Sequence, residues 1–229
     1  MGSLDKLKRA LVVSCQPIPG SPMDTVDIVV AMARTAELSG AGAVRIEGVN
    51  NVAAVKKVLK IPVIGIVKRI DPATPVVITP TLADVDGLIA AGADIVALDA
   101  TARPRPVDVD ILVKKIQAAN KFTMADCATF SDGEAALYLG CDFIGITLSG
   151  YTLETGPCGE EPDFDLLRKF ARITAQTDAL VMAEGRFNTP LLAASALKNG
   201  ADCVTVGSAI TRMEHVVGWF LDAMQDTVR

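Results

Sequence analysis

AGADIVAL, at residues 91–98, joins the end of a helical pattern to a buried strand through a single glycine. The same order recurs in LGCD at residues 139–142 and in NGAD at residues 199–202, each time leading into an apolar run. Glycine at this point supplies the left-handed backbone that caps a helix. The recurrence predicts that the chain repeats a unit of one strand and one helix.

Outward from this unit, β-branched runs alternate with longer helical patterns along the whole chain. The runs are almost continuously apolar, which is typical of a parallel sheet covered on both faces. Strands are predicted at residues 11–16, 43–47, 63–67, 94–98, 122–126, 142–147, 180–184 and 203–207. Helices are predicted at residues 24–39, 50–59, 81–91, 108–119, 131–139, 163–176, 190–199 and 213–226.

Eight such units of roughly 29 residues each predict a (β/α)8 TIM barrel, with residues 1–229 forming a single domain. A doubly wound open sheet is the main rival fold. Its first strand–helix turn would normally carry a GxGxxG phosphate-binding fingerprint. The corresponding SCQPIPG, at residues 14–20, does not match it, and no linker divides the chain. The barrel is therefore the preferred interpretation.

Composition narrows the class of protein and its partners. Hydrophobic residues make up 50 % and charged residues 21 % of the chain, as in an ordinary soluble globular protein. The net charge of −5 argues against nucleic acid as a partner, and no apolar stretch or signal peptide indicates a membrane. Five cysteines without a CxxC pair favour a reducing cytoplasm. They are Cys15, Cys127, Cys141, Cys158 and Cys203.

Polar side chains gather where the predicted strands end, which is the edge that carries the active site of a (β/α)8 barrel. So many ionisable groups directly after apolar runs favour a functional site over simple solvation of strand ends. Single members such as Asp99 or Thr147 could equally serve a structural hydrogen-bonding role. The strand-end residues are Gln16, Arg45, Glu47, Lys68, Arg69, Asp99, Arg103, Asp126, Thr147, Glu184, Arg186, Gly207, Ser208 and Arg212.

Two loops match the usual phosphate site of this fold, which lies after strands seven and eight. EGRFNTP begins at residue 184, and VGSAITR begins at residue 206. Gly185 and Gly207 permit close approach of the backbone, and exposed N–H groups at a helix start attract an anion. Arg186 or Arg212 can add positive charge. We therefore expect a phosphorylated small molecule as the ligand.

Lys68 and Glu184 follow strands three and seven, which stand opposite each other in a ring of eight. An amine and a carboxyl group on facing walls suit inversion of a carbon acid, because one can remove a proton and the other return it. This chemistry requires burial to lower the pKa of Lys68 or to raise that of Glu184. The alternative is an ion pair between the two that merely closes the barrel.

The strand-end segments resemble the bacterial N-acetylmannosamine-6-phosphate 2-epimerase family over nearly the whole chain. In order, they are LVVSCQ, AVRIEGV, IPVIGIVKR, LDATARPRP, TMADC, TLSGYT, AEGRFNTP and VTVGSAITR. The resemblance implies a (β/α)8 barrel that interconverts N-acetylmannosamine 6-phosphate and N-acetylglucosamine 6-phosphate in sialic-acid catabolism. No nucleotide or redox cofactor is implied.

The resemblance also implies roles for individual residues. Lys68 would be the base at C2 of the sugar and Glu184 its acidic counterpart. Proton removal from the open-chain sugar gives an enolate, which Arg45 or the lysine ammonium group could stabilise. The implied substrate contacts are Gln16, Arg45 and Asp126, with Arg186, Gly207, Ser208 and Arg212 around the phosphate; the strand-end and loop patterns add Thr147 and Gly185.

Three other functions remain open at this point. A Schiff-base aldolase would form an imine on Lys68. A metal-dependent pentose-phosphate 3-epimerase is disfavoured because its usual metal site needs histidines, and His215 is the single histidine of the chain. The third is a sugar-phosphate sensor without catalytic activity.

Two segments are harder to interpret. Residues 151–162 could form a lid over the site or an ordinary loose loop. HVVGWF at residues 215–220 could pack in the core of the last helix or form the contact of a homodimer, which is the assembly that we expect.

Overall fold

Within the residues that the computed structural model describes, 4–156, 159 and 161–226, eight parallel strands form a closed barrel. Each strand is hydrogen-bonded to the next, and the last pairs with the first. This confirms the predicted (β/α)8 fold. The strands are β1 (Leu11–Cys15), β2 (Ala43–Glu47), β3 (Val63–Ile66), β4 (Ile95–Asp99), β5 (Phe122–Asp126), β6 (Phe143–Gly145), β7 (Leu180–Glu184) and β8 (Cys203–Val206).

Helices cover the outside of this barrel. They are α1 (Val26–Leu38), α2 (Val49–Lys56), α3 (Leu82–Ala90), α4 (Val109–Ala118), α5 (Phe130–Tyr138), α6 (Phe164–Thr174), α7 (Pro190–Lys198), α8 (Ser208–Thr211) and α9 (Met213–Asp226). A short 3-10 helix, Leu4–Leu7, precedes β1. This 3-10 helix and α8 could not be predicted from the sequence, because four residues are too few to show a helical period.

The predicted bounds agree with the structure to within two residues, except at the end of the second helix. The sixth strand, predicted at 142–147, ends at Gly145 because the chain then turns, with the Ser149 N–H donating to the Ile146 carbonyl at 3.1 Å. The second helix, predicted at 50–59, ends at Lys56 because the Val58 and Leu59 N–H groups both donate to the Val55 carbonyl.

The repeated Gly-x-Asp sequence has a defined structural role. Its glycines, Gly92, Gly140 and Gly200, have φ angles of +90°, +74° and +98°, as the predicted helix caps require. The aspartate of each repeat accepts a hydrogen bond from the start of the preceding strand. Asp94 accepts from the Val63 N–H at 2.8 Å, Asp142 from Thr123 at 2.7 Å and Asp202 from Val181 at 2.8 Å. The repeat therefore fixes the amino-terminal rim of the barrel.

Side chains alternate between the two faces of each strand, as the pleat requires. One buried cluster fills the barrel and includes Ile64, Ile66, Met124, Phe143 and Met182. A second cluster packs the strands against the helices. The same alternation continues past the apolar layers to the carboxyl ends of the strands. Polar residues therefore point into the mouth of the barrel, above a filled interior.

The last helix, α9, differs from the others because much of its apolar surface is exposed. Phe220 is 68 % exposed and Met224 is 65 % exposed. Every helix in the described part of the chain is too short or too polar to span a lipid bilayer.

Candidate active site

A cavity of about 260 Å³ opens at the carboxyl ends of the strands, where sequence analysis placed the site. Its wall is formed by residues of β1, β7 and β8 and of the loops after β1, β3, β6, β7 and β8. Nine of the eleven predicted site residues line it: Gln16, Lys68, Thr147, Glu184, Gly185, Arg186, Gly207, Ser208 and Arg212. The other two, Arg45 and Asp126, lie beneath Glu184 in the barrel interior.

Arg45 is the centre of a buried network in the barrel interior. Its guanidinium is 1 % exposed and donates to both carboxylate oxygens of Asp126, at 2.6 and 3.1 Å. The same guanidinium donates to Glu184 Oε2 at 3.0 Å. Thr147 Oγ1 donates to Asp126 at 2.7 Å. Although burial alone would lower the pKa of Arg45, the charges of Asp126 and Glu184 raise it above the usual value, so the arginine stays charged.

The pKa of the Glu184 carboxyl group lies near neutral pH. Burial raises its pKa to about 7, because the charged form loses water. The positive charge of Arg45 opposes this shift, whereas the negative charge of Asp126 adds to it. Glu184 can therefore hold or release a proton near neutral pH, as a general acid or base must.

Lys68 follows the inward-facing Ile64 and Ile66 at the same two-residue spacing, so its side chain reaches the cavity. Its main-chain N–H donates to Glu47 Oε1 at 3.3 Å, and it forms an isolated bridge with Ile78. The cavity walls remove water from the amine and lower the pKa of Lys68. The pKa of Lys68 and that of Glu184 are thus both shifted toward neutral pH, although either shift alone would meet the expectation from the sequence.

Lys68 and Glu184 each affect the pKa of the other through their charges, but they form no direct ion pair in the described part of the chain. Among the described residues, the ion pair that Glu184 forms is with Arg45, and none joins it to Lys68 within 4.0 Å. The positive charge of Arg45 also helps to lower the pKa of Lys68. Arg45 thus acts electrostatically on both members of the proposed acid–base pair.

The two predicted phosphate loops form one side of the cavity. Gly207 precedes the first turn of α8, whose leading amides have no acceptor within the helix. Arg212 lies at the other end of that turn, and its Nε donates to the Gln16 carbonyl at 2.8 Å. A Cβ at Gly207 would lie 3.3 Å from that of Ser14, so the glycine allows a close approach of two strands.

Six further residues line the cavity and were not predicted as site residues: Ser14, Tyr151, Phe187, Asn188, Thr205 and Val206. Ser14 and Thr205 could have been found, because each lies two positions before a predicted inward residue. Tyr151 has no such signal, since the course of the loop after β6 brings it to the cavity.

Asp99 and Arg103, also at a predicted strand end, form a separate local network. Asp99 accepts from Thr101 Oγ1 at 2.6 Å and is ion-paired with Arg103. Neither lines the cavity. Asp99 thus has the structural role that the sequence left open. No group of three potential ligands capable of holding a metal occurs within the described ranges.

The fold and the cavity together define a (β/α)8-barrel protein with a lysine and a glutamate in one strand-end cavity, beside the loops after β7 and β8. Residues 29–226 match the NanE family, described as "Putative N-acetylmannosamine-6-phosphate epimerase". The chain belongs to this family.

Individual relatives agree with this assignment. Several relatives carry the name "Putative N-acetylmannosamine-6-phosphate 2-epimerase", and two of them illustrate the similarity. The one from Edwardsiella ictaluri is 53 % identical over 94 % of this chain and 89 % of its own. The one from Yersinia pseudotuberculosis serotype O:3 is 52 % identical over 96 % of this chain and 92 % of its own.

Two solved structures extend the comparison. The N-acetylmannosamine-6-phosphate 2-epimerase from Clostridium perfringens superposes with a TM-score of 0.91 at 39 % identity, covering 96 % of this chain and 95 % of its own. Thiamine phosphate pyrophosphorylase from Pyrococcus furiosus, at 20 % identity and a TM-score of 0.60, covers 90 % of this chain and 88 % of its own. This second likeness concerns the fold alone.

Proposed function

We propose that this protein epimerises N-acetylmannosamine 6-phosphate at C2, giving N-acetylglucosamine 6-phosphate, within sialic-acid catabolism. Membership of the NanE family supports the substrate class and the isomerase activity. The observation that carries the mechanism is the pair of Lys68 and Glu184 on opposite strands around one cavity, with pKa values shifted toward each other.

In the proposed reaction, the open-chain sugar lies between the two groups with its phosphate against the loops after β7 and β8. The neutral amine of Lys68 takes the C2 proton, and the electron pair of the C–H bond moves into an enolate with its charge on O1. The protonated carboxyl of Glu184 gives a proton to the opposite face of C2, and the C1 carbonyl re-forms. Each group then holds the protonation state that the reverse reaction needs.

Arg45 and Asp126 support this chemistry from below rather than at the cavity wall. Arg45 is 1 % exposed and its guanidinium already bonds both carboxylates, so we assign it to holding Glu184 in place. The ammonium form of Lys68 is then the nearer positive charge for the enolate oxygen, in keeping with preorganised electrostatic stabilisation. The phosphate provides remote binding energy that orients the reacting end.

Isotope exchange in D2O tests the proposal. The wild-type protein should introduce deuterium at C2 of N-acetylmannosamine 6-phosphate, as read by loss of the C2 proton signal in NMR. Lys68→Met should abolish exchange, and Glu184→Gln should reduce it by a factor of about 10² to 10⁴. Lys60→Met, at an exposed lysine before β3, is the matched control and should behave as wild type.

The same samples separate the rival functions. The lowered pKa of Lys68 would also suit an imine-forming lysine. Borohydride added with substrate should leave no adduct on Lys68; a trapped adduct would establish the Schiff-base aldolase instead. Ligand binding without any deuterium uptake would identify a sensor, and wild-type exchange by Lys68→Met would reject the assigned base.

We also propose that the protein is a cytoplasmic homodimer. The exposed apolar residues of α9, including Phe220, Leu221 and Met224, support association of two copies. Cys15, Cys127, Cys141 and Cys203 are free, which suits a reducing compartment, and Cys158 lies outside the described residues. Sedimentation equilibrium should give twice the chain mass, and Phe220→Glu should shift the protein toward the monomer. A monomeric wild-type protein would contradict the assembly.

A further inference from the structure

Arg186 bonds both ends of the loop that runs from β6 to α6. Its Nη1 donates to the Ser149 carbonyl at 2.9 Å, and its Nε donates to the Glu161 carbonyl at 2.8 Å. Only a planar guanidinium offers two donors in this fixed arrangement. One side chain from the loop after β7 therefore joins the beginning and the end of a neighbouring loop.

Tyr151 lies directly beneath this connection. The Arg186 guanidinium carbon is 5.3 Å from the centre of the tyrosine ring, within the range of a cation–π contact. The ring is 60 % exposed, yet it forms part of the cavity wall. Within the loop, the Gly150 N–H donates to Thr155 Oγ1 at 2.9 Å, and Ser149 Oγ donates to Asp163 Oδ2 at 2.6 Å near the loop's end. The guanidinium of Arg186 thus links the Tyr151 ring to the neighbouring loop after β7.

The backbone of Arg186 is unusual in a way that fits this role. Its φ is +63°, and that of the preceding Gly185 is +104°. A non-glycine residue in the left-handed region persists where surrounding contacts hold it, and such residues concentrate at functional sites. The two carbonyl bonds and the Tyr151 ring are the contacts that hold Arg186.

We infer that Arg186 is a positioning residue that fixes Tyr151 as a wall of the sugar site, instead of serving as the main cation for the phosphate. Both of its bonded nitrogens point to the loop after β6, which leaves Arg212 as the arginine for the anion. The ring offers an apolar face on which the carbon skeleton of the sugar can pack. The role in substrate binding rests on the proposed function; the effect on the loop does not.

Steady-state kinetics of two Arg186 variants distinguish the roles. Arg186→Met should raise KM about tenfold and change kcat by less than about twofold, since a lost wall weakens binding without touching the acid–base pair. Arg186→Lys should not restore KM, because a point charge cannot bond both carbonyls. The inhibition constant of inorganic phosphate should stay within about twofold of wild type in both variants. Rescue by lysine together with weaker phosphate binding in Arg186→Met would overturn the inference.

A double variant tests whether Arg186 acts through Tyr151. Tyr151→Ala should raise KM as Arg186→Met does, and the combined variant should be no worse than either alone, because both remove the same wall. Multiplied effects on KM would contradict the inference. Tyr151 is largely exposed, so this variant remains informative even where Arg186→Met folds poorly.

Limited proteolysis tests the loop independently of catalysis. Endoproteinase Glu-C should cut after Glu154 several times faster in Arg186→Met than in wild type, as identified by mass spectrometry of the fragments. Arg172→Met, at an exposed arginine of α6, is the matched control and should be cut at the wild-type rate. An unchanged cutting rate in Arg186→Met would refute the positioning role, and faster cutting in a protein without epimerase activity would reject only the proposed substrate.

Discussion

Arg45 reaches Glu184 at 3.0 Å across the interior of the barrel, from β2 to β7. The same guanidinium is bonded on its other side by Asp126 at 2.6 Å. One buried cation is therefore shared by two carboxylates, so it cannot fully neutralise both. Burial is the main cause of the raised pKa of Glu184, the negative charge of Asp126 adds to it, and Arg45 offsets only part of the shift.

The pH dependence of turnover should be bell-shaped. The proposed pair works while Lys68 and Glu184 hold one proton between them. Below the Glu184 pKa of about 7, both groups are protonated and the rate falls. Above the lowered pKa of Lys68, both have lost their protons and the rate falls again. The two apparent pKa values that define this profile are properties of the Lys68–Glu184 pair and not of either residue alone. A pH profile of kcat/KM measures them, and a profile that is flat from pH 5 to pH 8 would contradict the assignment.

The free energy of unfolding should depend on pH, because the pKa of Glu184 is raised in the folded protein. A carboxyl whose folded pKa is raised stabilises the native state below its unfolded pKa and loses that contribution as pH rises through the folded pKa. For Glu184 the window runs from 4.5 to about 7. Glu184→Gln cannot ionise, so its stability relative to wild type should improve by about 3 kcal/mol from pH 4 to pH 8. Guanidinium unfolding at both values checks this.

A control variant separates this effect from general changes in surface charge. Glu214→Gln removes a carboxylate from the exposed first turn of α9 and should show a nearly constant stability difference over the same range. An equal pH dependence in both variants would remove Glu184 as the source.

Asp126→Asn should be strongly destabilising and should also alter the pH profile. Asp126 is fully buried and accepts hydrogen bonds from Nη1 and Nη2 of Arg45. Neutralising Asp126 therefore leaves a buried cation with only Glu184 as a charged partner. Removing one member of a buried pair typically costs about 3–5 kcal/mol. The negative charge of Asp126 also raises the pKa of Glu184, so its loss should move the acid limb of kcat/KM to lower pH.

A second substitution shows whether the network is needed for the fold or for the chemistry. Arg45→Met together with Asp126→Leu replaces the pair with apolar groups of similar size. This double variant should recover most of the unfolding free energy lost in Asp126→Asn, because isosteric apolar replacement of buried pairs is often neutral. Turnover should stay low, since Glu184 loses its anchor. Recovery of turnover along with stability would show that the network is only structural.

The fold could be predicted because it depends on features repeated along the sequence. Each strand is an apolar run, and each Gly-x-Asp repeat marks a helix end and ties its aspartate to the preceding strand, as Asp94 does with Val63. These are local patterns with a fixed period, so a single sequence contains them. The four-residue α8 carries no period and was missed.

The candidate site was predictable where a side chain follows directly from its strand. Lys68 and Glu184 come after apolar strands three and seven, and the ring topology then places them opposite each other. The buried network around Arg45 was not predictable, because it depends on contacts across the barrel with Asp126 and Glu184. Tyr151 was not predictable, because its place depends on a long-range contact with Arg186.

Arg212→Met should weaken phosphate binding and shift the alkaline limb in one experiment. Arg212 lines the cavity beside the loops proposed to bind phosphate, and its Nε donates to the Gln16 carbonyl. Loss of a charged hydrogen bond to the phosphate should raise the inhibition constant of inorganic phosphate by about 10- to 100-fold. Because the positive charge of Arg212 lowers the pKa of Lys68, its removal should move the alkaline limb of kcat/KM to higher pH. Arg172→Met should change neither quantity. An unaltered phosphate inhibition constant in Arg212→Met would place the anion elsewhere, and an alkaline limb that stays fixed would dissociate Arg212 from Lys68.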